Sequence, residues 1–218
     1  MDGSVDDMES LPLFPLGSVL LPGVRLPLRV FEPRHLALTA HLERSDDPVF
    51  GVVAIRRGRE VGAGMPDLYE VGCAARMTAL VRHEGHLLLE AVAERRFRIE
   101  SVHEERAPYL VADVTWADGE QDTAPDDLAW AAREGFQDLL DVVGGRVAGL
   151  PEDPSLLAAS ILDGLGLPLP EQQAVLEAGD AVERLRAIRR LCRREAALAE
   201  SLGIRSASVT PSARLNQN

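Results

Sequence analysis

Lysine is missing from this chain: the 23 basic residues among its 218 are all arginine. A Walker A phosphate loop needs a lysine to reach the β and γ phosphates, and a serine–lysine peptidase dyad needs one as base. Both engines are excluded, together with Schiff-base and other lysine-dependent mechanisms. Cysteine is nearly as scarce. Cys73 and Cys192 are too few for a disulfide framework and lie in apolar runs, where a reduced core residue is the ordinary reading. No apolar run reaches the roughly 18 to 20 residues of a membrane span. The N-terminus, with Asp2, Asp6 and Asp7, has neither the basic start nor the apolar core of a secretory signal, so the expected location is cytoplasmic, with no membrane partner. Positive charge is in deficit too. A net charge of −12 opposes attraction to phosphate backbones and disfavours nucleic acid as a partner.

Motifs that carry chemistry are also lacking. His83, Glu84 and His86 form a hairpin tip with only His103 and Cys73 as further candidate ligands, and no Cys-x-x-Cys or His-Glu-x-x-His spacing accompanies them. They read as solvated turn residues; no metal and no cofactor is expected. Gly62 and Gly64 lack the third glycine and the strand-to-helix setting of a dinucleotide fingerprint. No Gly-x-Ser-x-Gly elbow is present, and Ser18 has no base nearby, so nucleophilic catalysis has no support. The chain reads as non-enzymatic.

What is present is concentrated between Leu11 and His35. Pro12 and Pro15 cannot donate ladder hydrogen bonds, so Leu11 to Leu16 reads as an extended entry segment or a sheet edge, not a central strand. Val19 to Leu21 reads as a short strand. Pro22 and Gly23 then supply the fixed φ and the positive φ of a type II turn. Leu26, Leu28 and Val30 alternate with Arg25, Pro27 and Arg29, the period of a half-buried strand. Glu32-Pro33 ends it and opens a helix running to about Glu43.

Further along, Val49 to Ile55 suits a strand buried on both faces, and Gly58 to Asp67 a mobile loop. Leu68 to Val81 and Leu87 to Val92 form a hairpin about Gly85. Phe97 and Ile99, then Leu110, Ala112, Val114 and Trp116, continue the alternation. Strands with few intervening helices point to a mixed, largely antiparallel sheet that curls on itself. The period changes after an acidic linker from Ala117 to Ala124. Leu128, Ala132, Phe136, Leu139 and Val143 follow helical spacing, with Gly144 as the stop. Asp153-Pro154 opens a second helix, Pro170 a short third, and Asp180 with Glu183 a long fourth. Its stripe is Val182, Leu185, Ile188, Cys192, Ala199 and Leu202, ending at Gly203. The fold class is α+β: residues 1–10 a disordered acidic start, 11–116 a β lobe with one helix, 117–124 a linker, 125–202 a helical lobe and 203–218 a disordered tail. Arg184, Arg186, Arg189, Arg190, Arg193 and Arg194 on the last helix oppose many carboxylates between Asp113 and Asp141. Mutual compensation within the lobe explains this better than an acidic partner does.

The run Leu11-Pro-Leu-Phe-Pro-Leu16, Pro22-Gly23, Leu26-Pro-Leu-Arg-Val-Phe-Glu-Pro-Arg34, then Phe50-Gly-Val-Val53, Asp67-Leu-Tyr-Glu-Val-Gly72, Arg96-Phe-Arg-Ile99 and Pro108-Tyr-Leu-Val-Ala112 resembles the N-terminal, substrate-recognition domain of Lon proteases. The resemblance spans roughly Leu11 to Leu202. It implies a PUA-like β lobe followed by a helical-bundle lobe, in a stand-alone form without ATPase or peptidase domains. Leu169 departs from the family's pattern, which leads one to expect a capping Ser or Thr before Pro170. The implied function is a protein- or peptide-binding module or adaptor, with unfolded or apolar protein segments as partners. Phe31, Met65, Pro66 and Tyr69 are the expected contacts, since an adaptable apolar loop on a rigid sheet suits recognition. Arg34 is expected to pair with Glu32 or to meet a peptide carboxylate. Two alternatives stay open. An RNA-binding role would need Arg56, Arg57 and Arg59 with Arg95, Arg96 and Arg98 on one face, and a small-ligand receptor or enzyme would use a cleft between the lobes.

Overall fold

The computed structural model describes residues 8–58, 66–117, 124–147, 149–203 and 216–217. The chain forms two compact units, Met1–Gly119 with Arg214–Asn218, and Glu120–Ala213. The expected linker and tail lie largely outside the described residues. The first unit contains β1 (Glu9–Leu16), β2 (Arg25–Val30), α1 (Pro33–Leu42), β3 (Val49–Arg57), β4 (Asp67–Leu68), β5 (Val71–His83), β6 (His86–His103), β7 (Val111–Trp116) and β8 (Asn216–Gln217). The two-residue β8 runs parallel to β2 at Leu28 and Arg29.

The strands close a ring. β1 pairs with β3 in parallel, and β3–β5, β5–β6, β6–β7 and β7–β1 pair antiparallel. β2 adds to the first part of β6, whose second part serves β7. Register shifts between Cys73 and Ala75, between Met77 and Ala79, and between Ile99 and Ser101 supply the bends that closure requires. Leu11, Leu13, Val53, Ala74, Phe97, Ala112 and Val114 form a buried cluster. Two glycines make room for Phe97: a Cβ on Gly72 would sit 2.5 Å from the Phe97 ring and from the Val52 carbonyl oxygen, and one on Gly51 would sit 2.7 Å from the same ring.

β1 has neighbours on both sides, β3 and β7, so it is not a simple edge strand, but each of its halves pairs with only one of them. This is a handover along its length. Glu9 to Pro12 pair with β7, whereas Leu13 to Leu16 pair with β3. The Leu13 N–H donates to the Leu110 carbonyl on the β7 side. Main-chain groups alternate sides along a strand, so odd-numbered residues face β7 and even-numbered residues face β3. Pro12 therefore turns its nitrogen toward β3 before that ladder begins, and Pro15 turns its own toward β7 after that ladder has ended. Neither ladder loses a donor.

Val19 to Leu21 is irregular, not a strand, although Leu20 and Leu21 are buried. The turn after it is as expected: Gly23 has φ 82° and the Val24 N–H reaches the Leu21 carbonyl. Pro33 opens α1, which buries His35, Leu38, Thr39 and Leu42.

The second unit comprises α2 (Asp126–Val143), α3 (Pro154–Leu165), α4 (Leu169–Leu176) and α5 (Ala181–Leu202). Gly144, Gly166 and Gly203 end their helices in the left-handed conformation. Asp153 accepts from the Ser155 and Leu156 N–H groups and Asp180 from the Glu183 N–H, so both caps work as the sequence implies. α4 begins after Pro168 with no side-chain cap, in keeping with Leu169. Phe136, Leu140, Leu157, Ile161, Leu185, Ile188 and Cys192 are buried, whereas Leu202 is 70 % exposed and leaves the stripe. Arg184 is buried rather than part of a basic face.

Candidate functional site

The junction between β2 and α1 holds the most distinctive side chains of the first unit. The strand alternation buries Val30 and turns Phe31 outward, leaving the ring 43 % exposed. Glu32 is extended and buried at the N-cap, and Pro33 fixes the first helical turn. Arg34 Nε lies 3.2 Å from Glu32 Oε2, the pairing expected for it. His35 is fully buried and stacks on Phe14 with ring centroids 3.9 Å apart. Its Nδ1 stands 3.5 Å from Glu32 Oε1, and neither ring nitrogen makes a hydrogen bond among the described residues. Burial, aided by the Arg34 charge, lowers its pKa to about 3. The ring is neutral at ordinary pH. It packs as a neutral aromatic plate against Phe14 in the core.

Met65 lies outside the described residues. Pro66 is buried, and a Cβ on Gly58, where φ is +117°, would come within 3.4 Å of it. Tyr69 is half-buried, with its N–H donating to the Ala54 carbonyl at 3.0 Å. Around it, Arg56 forms a bidentate pair with Asp67 at 2.7 and 3.0 Å. Arg98 meets Glu70 at 2.9 Å, Arg96 is buried, and the Arg95 guanidinium lies 3.3 Å above the Trp116 ring. Arg59 lies outside the described residues. Most arginines of the supposed RNA stripe are thus neutralised, buried or stacked.

One cluster imitates a catalytic triad. His103 Nε2 is 2.7 Å from Asp113 Oδ2 and 3.0 Å from Ser101 Oγ, and Ser101 itself donates to Asp113. A relay needs the carboxylate on one ring nitrogen and the hydroxyl on the other. Here both meet the same nitrogen, and Arg106 pins the carboxylate at 2.6 Å. Arg106 and His103 hold Asp113 down to about 2. The cluster is an ion-paired brace and offers no activated nucleophile. Burial pushes the Cys192 thiol up to about 12, so it is not a thiolate. Among the described residues, no group of three His, Cys, Asp or Glu side chains is disposed to hold a metal. His83 and His86 stack on each other at the hairpin tip.

Two features escape a reading by sequence. A cavity of about 230 Å³ opens beside β1, lined by Glu9, Ser10, Asp47, Arg76, Arg95 and Trp116 among others. Its walls come from distant strands, so no local pattern announces it. In the second unit Trp130 is 62 % exposed on α2. Its signal was present, since it falls off the stripe made by Ala132, Phe136 and Leu139. On α5, Arg186 pairs with Glu183, and Arg194 with Glu171 and Glu195, which favours compensation within the unit.

The fold is of the α+β class, a closed barrel with an exposed aromatic, Phe31, at a rigid strand-to-helix junction and a separate helical unit. The model of the ATP-dependent protease La (LON) substrate-binding domain matches residues 10–194, and the chain belongs to this family. It is 34 % identical over 202 residues to Lon protease 2 of Myxococcus xanthus and 30 % identical over 196 residues to a Lon protease of Anaeromyxobacter dehalogenans. The alignments cover 87 % and 85 % of this chain but only 24 % and 23 % of those proteins, so it spans about a quarter of their length. Among solved structures, a Lon N-terminal domain protein from Xanthomonas campestris superposes with a TM-score of 0.60 at 28 % identity, covering 82 % of this chain and 95 % of the other. The N-terminal domain of a Mycobacterium avium complex Lon protease, at 20 % identity and a TM-score of 0.59, supports the fold.

Proposed function

We propose that the chain is a non-enzymatic, cytoplasmic module that binds exposed apolar segments of other proteins, as a substrate-recognition domain or an adaptor. The observation that carries this reading is Phe31. A large apolar ring held in solvent at 43 % exposure by a buried strand end on one side and a proline-started helix on the other is preorganised contact area. Tyr69 offers a second half-buried aromatic, and Pro66 anchors the loop in which the sequence places Met65. The ion-paired and buried state of Arg56, Arg96 and Arg98 supports a protein partner over RNA.

Titration with fluorescent peptides from unfolded proteins, and with single-stranded RNA, at low and high salt tests the reading. Peptide binding is expected to persist in salt and to fall about tenfold in Phe31→Ser and severalfold in Tyr69→Ala, the range for truncating an interface aromatic. Tight RNA binding that decays steeply with salt and ignores both substitutions would overturn it.

A further inference from the structure

The cavity beside β1 has the properties of an unfinished sheet edge. Among the described residues, Glu9 to Pro12 are paired on one side only, with β7, because the β1–β3 ladder begins at Leu13. By the alternation fixed through the Leu13 to Leu110 bond, the N–H and C=O of Ser10 and the C=O of Pro12 face the opposite side. Those residues line the cavity. The indole Nε1 of Trp116, also in its lining, is buried and has no acceptor among the described residues. Such a donor is costly to leave unmatched and is matched by any carbonyl that enters. Arg95, stacked at 3.3 Å, fixes the plane of the indole.

Charge adds direction. Arg76 is taken up by Asp47 and by Glu94, the latter at 2.5 Å. Arg95 is engaged on the indole, and the Glu9 carboxylate has no described partner. Three lining carboxylates, Glu9, Asp47 and Glu94, thus face two lining guanidiniums, Arg76 and Arg95, an excess of one negative charge. The volume of about 230 Å³ is smaller than the roughly 300 to 1,000 Å³ of sites for compact organic ligands. A strip of main chain fits these groups better than such a ligand does.

We propose that an extended peptide segment adds as a short strand to the open edge of β1 at Ser10 to Pro12. One of its carbonyls accepts from Trp116 Nε1–H, and a basic side chain meets Glu9. This rests on the peptide-binding reading above and gives it a second, main-chain-directed locus distinct from Phe31. Strand addition supplies affinity through the backbone, with flanking side chains setting preference.

The test uses the full chain and a fluorescent ten-residue peptide of alternating serine and valine with one central arginine. Partner peptides have alternate main-chain nitrogens methylated or the arginine changed to glutamine. Methylation of the strand-pairing nitrogens is expected to weaken binding at least tenfold. Trp116→Phe should weaken it severalfold, and Glu9→Gln should weaken the arginine peptide but not the glutamine one. Methylated peptides leave the protein untouched, so that arm decides even where a variant folds poorly. Binding that ignores methylation, Trp116→Phe and Glu9→Gln but fails in Phe31→Ser would overturn the edge site while the peptide-binding reading stands. No binding of any peptide, these or those from unfolded proteins, would overturn both.

Discussion

His35 illustrates how a residue takes its character from a neighbour far away in sequence. The motif around it is visible in the chain, but the stacking on Phe14 that buries it joins α1 to β1. No periodicity within α1 reports that contact. The consequence is a pH dependence whose sign follows from linkage. The unfolded chain protonates His35 near 6.5, whereas the folded chain resists until about 3. Stability is therefore intact above 6.5 and is lost as pH falls through the window from 6.5 to 3, at about 1.4 kcal/mol per pH unit. Urea unfolding at pH 6.5 and 4.5 is expected to show a loss of roughly 2 kcal/mol, and His35→Phe is expected to remove most of that difference. Asp113, held down to about 2 by Arg106 and His103, adds its own loss only at lower pH, between 3.8 and 2. The exposure of Phe31, by contrast, follows directly from the alternation of Leu26, Leu28 and Val30, which leaves the next residue at the strand end without a buried side.

At the scale of elements, the helices of the second unit were readable because their signals are local: Asp153, Asp180, Gly144 and Gly203 act within a turn of where they stand. The strand β1 was readable as extended chain but not in its place. Proline in a strand ordinarily marks an edge, and only the pairing of each half with a different neighbour reconciles Pro12 and Pro15 with a strand that has neighbours on both sides. The alternation makes a sharp prediction. Leu13→Pro removes the donor to Leu110 and strands a carbonyl, at a cost of about 1 to 3 kcal/mol beyond any packing loss. Ser10→Pro, three residues back and on the open side, should leave the melting temperature nearly unchanged. Gly72→Ala should also destabilise by about 1 to 3 kcal/mol, because the added methyl meets the Val52 carbonyl and the Phe97 ring. Chemical denaturation of the three variants checks the ranking.

For the whole molecule, the sequence changes period near Ala117, and the first compact unit comprises Met1–Gly119 with Arg214–Asn218. The closure of the sheet into a ring was not legible, since curling can be inferred from many strands but the partner of each strand cannot. Among the described residues, the buried cluster of Leu11, Leu13, Val53, Ala74, Phe97, Ala112 and Val114 lies within the first unit. A fragment ending at Ala117 is accordingly expected to keep its sheet and to melt cooperatively, as followed by circular dichroism. An unfolded fragment beside a folded full chain would show that the β unit cannot stand alone. The absence of lysine makes a further expectation for the purified chain: no turnover of ATP or of casein above a mock preparation through two chromatographic steps.

The handover along β1 has a consequence in time. Its first half is sealed only by β7, about a hundred residues later, as in the pairing of Leu11 with Ala112. At a synthesis rate of about 5 to 20 residues per second, the ribosome needs roughly 5 to 20 s to deliver that partner. Throughout this interval the nascent strand is an open template for neighbouring chains. Pro12 and Pro15, harmless to the finished ladders, each withhold a donor from any foreign strand that pairs there first. The same two residues that made the strand look peripheral thus thin the donors it offers to neighbouring nascent chains until the ring can close.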